Sequence, residues 1–337
     1  MAGRNGGSVP AIPPEDLIRA VTNAITESGY AGQIVSPIRS QPRRFIITGP
    51  NAPLAITVYA WTLTFGGRPN LRNEYRIQMT SVNSPLQMGT DGPTVLIGYE
   101  PELNLFGGFD LQRHRTFTTG SPSVQIDRER LRRAETEGLS FHRKSNDEIA
   151  VGIRPDMFMA YAMNADVLHR YGRDANVLRL LNQAVREPPP PQQLETLSTE
   201  RRRVITEVSR LSRAADFRQR VLFAYGNRCA VTRVQLRLVD AAHILPVGAP
   251  GSADHVTNGI ALSPTYHRAF DAGLIYLDDQ YRMGLNNGQL QALERLNLHG
   301  GVEAFRAPLG QQIFLPPDPQ QRPRVEFIRR ANRFRQI

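Results

Sequence analysis

The sequence predicts an α+β protein in two parts. These are a mixed N-terminal domain built on a curved antiparallel sheet, with helices at its margins, and a C-terminal domain centred on a strand, a loop, a short strand or turn, and a helix. Three observations carry this. Before residue 187, apolar runs rich in β-branched and aromatic residues alternate with Gly, Pro and Asn, as strands do with turns. Residues 187–193 read EPPPPQQ, and four successive prolines neither continue a helix nor pair in a sheet. Beyond them lie apolar residues at helical spacing, then a short segment holding His243, His255 and His267, three of the seven histidines. The expected division is therefore 1–186, a linker at 187–197, and 198–337.

The elements follow in order. Leu17, Val21 and Ile25 are spaced by four and predict a helix over 14–28. RRFIIT (43–48), AITVYAWTLTF (55–65), EYRIQMT (74–80), TVLIGYE (94–100) and EIAVGI (148–153) read as strands. A helix from about 155 to 171 carries Met157, Tyr161 and Leu168. After the prolines, Ser198 or Thr199 caps a helix bearing Val204, Val208 and Leu211. A second helix, FRQRVLFAYG, starts near Asp216 and brings Arg218 and Arg220 close to the histidine segment. There LRLVDAAHI reads as a strand, followed by a Gly/Pro/Ser/Asp loop, and NGIALSPTYHRAF as a short strand or turn entering a helix. Phe270, Leu274 and Ile275 belong to its core.

Composition limits the function. With 40% hydrophobic and 21% charged residues the chain is globular. A formal charge of +10 favours a polyanionic partner, nucleic acid above all. No apolar run reaches membrane-spanning length, and the first residues lack the basic stretch and apolar core of a secretory signal. The single cysteine, Cys229, excludes an intrachain disulfide and a four-cysteine zinc site, which fits a reducing, cytoplasmic setting. Without a GxxxxGK[ST] loop, no nucleotide cofactor is expected. Lys144 is the only lysine and has no preceding carboxylate-x pattern, so a lysine-carboxylate nuclease site in the N-terminal domain is disfavoured.

Hydrolysing a phosphodiester requires a base for water, a cation on the phosphate and assistance to the leaving oxygen. His243 on a strand suits the base, and His267 on the following helix suits a divalent-ion ligand together with a carboxylate from the strand. Asn258, between them, suits a loop brace.

The order His243, Asn258, His267 resembles the HNH (ββα-metal, or His-Me finger) endonucleases. The flanking RCAVT, AAHILP and NGIALSPTYHRAFDAGL are similar to the HNH branch common in bacterial restriction endonucleases. The likeness spans roughly 216–280 and extends weakly to LPPDPQQRPRVEFIRRANRF near the C-terminus. It implies a one-metal nuclease in a bacterial cytoplasm, using Mg²⁺, Mn²⁺ or another transition metal. His243 would be the general base, Asn258 the structural asparagine and His267 the last metal ligand. Many such enzymes carry Asp or His immediately before the base, where Ala242 stands here. Asp240, on the same strand side as Ala242, is then the second ligand, with Asp271 and His255 as alternatives.

An HNH site acts on the backbone, so target choice falls to residues 1–186. Basic residues in Gly- and Asn-rich segments are the DNA-contact candidates: Arg68, Arg72, Arg76, Arg113 and Arg115. Tyr59, Trp61 and Phe65 share one strand face and read as core. The expectation is a restriction-type endonuclease acting on double-stranded DNA, with sequence or modified-base recognition in the N-terminal domain. The alternative is a nuclease switched on by a ligand or partner sensed there. One site cuts one strand, so a homodimer on DNA is expected.

Overall fold

A computed structural model of the protein describes residues 11–49, 54–66, 73–118 and 120–337. The chain forms two compact units, Met1–Ala215 and Asp216–Ile337.

In the first unit, helix α1 (Pro14–Glu27) opens on a proline and places Glu15 and Asp16 in its electropositive first turn. Its buried stripe is Leu17, Ile18, Val21, Ala24 and Ile25. A seven-stranded sheet runs in the order β1 (Ala31–Ile34), β2 (Arg43–Thr48), β3 (Leu54–Thr62), β6 (Thr94–Glu100), β7 (Leu105–Phe109), β10 (Ile149–Ile153) and β9 (Leu139–Arg143). Every neighbouring pair is antiparallel except β3 and β6, which run parallel with Thr57 opposite Thr94 and Thr62 opposite Tyr99. A smaller antiparallel sheet has the order β4 (Thr64–Phe65), β5 (Glu74–Gln78) and β8 (Ser123–Asp127).

Both faces of the large sheet are covered, and successive side chains of one strand feed two cores. Ile56, Val58 and Ala60 of β3 join α1, α5 (Phe158–Tyr171) and α6 (Ala175–Ala184). Tyr59 joins the small sheet and the short helices α2 (Leu111–His114), α3 (Arg128–Arg132) and α4 (Ala134–Glu137). This is why the strand reads as an unbroken apolar run. Tyr59 and Trp61 stack at 6.2 Å and pack in that second core, as does Phe65. β7 escapes a propensity reading because its sequence is LFGGF. The glycine is required: a Cβ on Gly108 would lie 2.3 Å from the Tyr161 ring.

Residues 199–215 pack with the first unit, although their spacing reads as part of the second. The proline segment ends in a helical turn, α7 (Pro191–Glu195), and Leu194 and Leu197 lie against the first core. Val204, Ile205 and Val208 of α8 (Thr199–Ala224) are buried in that core, so the division falls at Ala215 and Asp216. The two helices expected from 198 onward are one of 26 residues, since Ala214 and Ala215 favour its continuation.

The second unit holds β11 (Asp240–His243), β12 (Gly259–Leu262) and α9 (Pro264–Asp271), then the hairpin of β13 (Ile275–Leu277) and β14 (Met283–Leu285). Helices α10 (Asn287–Arg295), α11 (Val302–Arg306) and α12 (Val325–Phe334) follow. Its core includes Phe217, Val221, Cys229, Ile260, Leu262, Phe270 and Ile328. β11 is shorter than LRLVDAAHI suggests: Leu236 and Arg237 take positive φ, and Leu236 and Leu238 are exposed. Among the described residues, no helix is long and apolar enough to cross a membrane.

Candidate active site

β11 and β12 pair antiparallel, with Asp240 opposite Leu262 and His243 opposite Gly259. One strand therefore carries His243 and the Asp240 carboxylate, and its partner leads through Ser263 into α9, which carries His267. Gly259 lets the end of α8 pack on this pair: a Cβ there would lie 2.2 Å from Val221 Cγ2.

Asn258 is fully buried and braces the loop between the strands. Its Oδ1 accepts from Leu245 N at 2.9 Å. Its Nδ2 donates to Leu245 O at 3.1 Å, Ala253 O at 3.0 Å and Ser252 Oγ at 3.3 Å. Every polar atom of the amide is thus used on the loop, and none is left for substrate.

His243 stacks on Phe217, with ring centroids 3.8 Å apart and planes 11° from parallel. Its Nε2 donates to Asp254 Oδ1 at 2.9 Å. An ionised carboxylate only accepts, so the hydrogen sits on Nε2 and Nδ1 is left with a lone pair. Asp254 was not singled out by its sequence position. It stands in a loop rich in Gly, Ser and Asp, and only folding brings it to His243.

Asp240 and His267 come together across β11 and α9, with His267 Nδ1 3.7 Å from Asp240 Oδ2. Arg218 of α8 donates to the other carboxylate oxygen, Oδ1, at 2.9 Å. His267 and Arg218 hold the Asp240 carboxyl at about 2, against the opposing effect of its burial. Asp240 in turn raises the His267 imidazole above its ordinary value, with burial opposing and Asp271 assisting. Asp271 Oδ2 lies 3.3 Å from His267 Nε2, on the far side of the ring. That is the place of an outer carboxylate that orients a ligating imidazole.

This donor set fits a divalent ion. Asp240 Oδ2 and His267 Nδ1 face each other at a separation that two ligands of one ion can adopt. Among the described residues, no group of three or more His, Cys, Asp or Glu side chains is placed to hold a metal. A site of one carboxylate oxygen and one imidazole nitrogen leaves further coordination positions to waters and phosphate oxygens.

The DNA-contact candidates are dispersed. Arg68 and Arg72 lie outside the described residues. Arg76 is half-buried on β5, opposite Gln125 of β8. Arg113 donates to Asn146 O at 2.9 Å and Arg115 to Leu86 O at 3.2 Å, so both are braced against loops. Lys144 pairs with buried Glu148 at 2.7 Å, as does His114. Cys229 is free and buried.

Residues 229–278 match the family described as HNH endonuclease, and residues 54–162 match the family described as methylase-associated X1. No curated protein matches the sequence. A modification-dependent TagI restriction endonuclease of known structure aligns over 82% of this chain and 80% of its own, at 13% identity and a TM-score of 0.28. The HNH match covers β11, β12 and α9 and contains His243, Asp254, Asn258 and His267. The chain is therefore a nuclease carrying an HNH endonuclease domain at residues 229–278, with a methylase-associated X1 domain at residues 54–162.

Proposed function

We propose that the protein is a restriction-type DNA endonuclease that uses one divalent metal, Mg²⁺ or Mn²⁺, and reads its target through the N-terminal unit. The observation that carries this is the pairing of Asp240 with His267 on the same ββα unit that fixes His243 to Asp254. Asp240 and His267 hold the ion, which when bound supplies positive charge to the scissile phosphate and the leaving oxygen. His243 Nδ1 takes a proton from the attacking water, whose oxygen forms the new bond to phosphorus as a P–O ester bond breaks. The Asp254 carboxylate fixes the ring's tautomer and offsets the charge that His243 gains. Phe217 restricts the ring to one plane. Asn258 holds the loop that carries Asp254.

In this reading Arg76, Arg113 and Arg115, together with Arg68 and Arg72, contact target DNA, and a base modification is part of the signal. Domain roles follow the division at Ala215 and Asp216: target recognition in the first unit, and cutting in the second, which includes the end of α8 that carries Phe217 and Arg218. Each site addresses one phosphodiester, so two copies act on a duplex. Digestion of unmodified, cytosine-methylated and hypermodified DNA with Mg²⁺ or Mn²⁺ tests this. Cleavage is expected for at least one substrate, and its absence from all of them, in both metals, rejects the reading.

One observation favours a second reading, a nuclease switched on by a small ligand. The first unit holds a cavity of about 170 Å³ lined by Phe109, Asp110, Asn164 and His169. Asp110, Asn164 and His169 are buried polar residues. A ligand-dependent burst of cutting on DNA of any sequence would support that reading over target recognition.

A further inference from the structure

His255 and the C-terminal arginines take no part in the chemistry above, yet they line a groove beside it. The groove has a volume of about 470 Å³, and its lining includes His255, Thr257, Asp318, Gln320, Arg322 and Arg324. It adjoins the catalytic loop directly. His255 follows Asp254, the partner of the base, and Arg324 N donates to Thr257 O at 3.0 Å, next to Asn258.

The lining is rich in donors without acceptors. His255 makes its ring contacts at Nδ1, with Thr257 Oγ1 at 2.8 Å and Thr257 N at 3.3 Å, so Nε2 faces the groove with no partner among the described residues. The Arg324 side chain is exposed, and its guanidinium is likewise free among the described residues. Arg322 is pinned: its Nε donates to Pro316 O at 2.9 Å and Nη2 to Pro317 O at 3.3 Å, leaving Nη1 available. The one carboxylate of the lining, Asp318, accepts from Gln320 N at 2.9 Å. A preformed row of unused donors and two guanidinium groups is complementary to a polyanion.

We propose that this groove seats the phosphodiester backbone of the DNA strand flanking the bond that is cut. The inference rests on the nuclease reading and deepens it by placing the substrate strand. A volume of this size exceeds one phosphate and accommodates a stretch of backbone. Arg324 and His255 are then binding residues that set the strand's position relative to His243, and neither enters the chemistry.

The test uses the full-length protein. Cleavage of a supercoiled plasmid is measured over a range of DNA and NaCl concentrations for the wild type, Arg324→Ala, Arg324→Lys and His255→Ala. Arg295→Ala, on the exposed face of α10, controls for loss of one positive charge. Arg324→Ala is expected to raise KM about tenfold, with kcat within twofold, and to lower the slope of log KM against log salt by about one. Arg324→Lys recovers most of the KM, and Arg295→Ala changes nothing. A KM and salt slope for Arg324→Ala equal to those of Arg295→Ala overturn the proposal while leaving the nuclease intact. The same substitutions in a His243→Ala background, titrated with fluorescent duplex by anisotropy, separate the two ideas. A tenfold weaker Kd supports the groove even where no cleavage is seen, and an unchanged Kd rejects it.

Discussion

The carboxylate of Asp254 fixes the imidazole of His243 through a 2.9 Å hydrogen bond at Nε2, which leaves Nδ1 as the only ring nitrogen able to accept a proton. Asp254→Asn offers the ring an amide in place of a carboxylate. It permits the other tautomer and removes the charge that stabilises a protonated His243. The expected result is a fall in kcat of about 10²-fold or more with KM nearly unchanged. Single-turnover kinetics at saturating DNA measures it, and a loss confined to KM would assign Asp254 to binding.

His243→Ala removes the proposed base. Cleavage should fall by about 10²–10⁴-fold while the fold and DNA affinity stay close to wild type, since the side chain is only partly buried. Plasmid nicking, run beside a thermal melt, checks this. A variant that cuts within threefold of wild type excludes His243 from the mechanism.

Removing either half of the Asp240–His267 pair should weaken metal binding. Asp240→Ala and His267→Ala are each expected to move the Mn²⁺ titration midpoint of cleavage upward by about tenfold or more. EDTA should silence the wild type. Asp271→Ala, which removes the carboxylate 3.3 Å from His267 Nε2, should have a smaller effect of the same sign. An unchanged midpoint for Asp240→Ala would transfer the ligand role elsewhere.

Asn258→Ala should cost stability as well as activity. It leaves the Leu245 amide and carbonyl and the Ala253 carbonyl without their side-chain partner inside a buried loop. The cost is about 2–4 kcal/mol, read as a shift in the urea midpoint of the second unit. A full-stability variant would mean that the loop is held by other contacts.

Acid should weaken the first unit through Glu148. Burial raises this carboxyl, but His114 and Lys144 outweigh it and hold it at about 2, below the ordinary 4.5. The stabilisation is present in full above about pH 4.5 and is lost as pH falls towards 2. It amounts to about 3 kcal/mol. Glu148→Gln should therefore be much less stable than wild type at pH 7, with most of that gap closed by pH 2.5, by chemical denaturation. A gap that does not close with acid rejects the assignment.

Much was legible in the residues alone. The strands RRFIIT and TVLIGYE coincide with β2 and β6, because β-branched and aromatic runs between turn residues need no distant partner to be recognised. His243, Asn258 and His267 stand in chain order with their flanking apolar residues, and local periodicity places them on a strand, a loop and a helix. Tertiary structure alone decided the rest. β7 is a strand because β6 and β10 pair with it on either side, and its Gly108 leaves room for Tyr161, far along the chain. Helix α8 belongs mainly to the first core because Val204, Ile205 and Val208 find apolar partners there, and the prolines before it do not prevent that. Asp254 is an ordinary loop aspartate by spacing, and it becomes the partner of His243 only when β11 and β12 pair and Asn258 closes the loop between them. Spacing along a chain fixes which face a side chain occupies, whereas a hydrogen bond between loop and strand depends on how the whole unit packs.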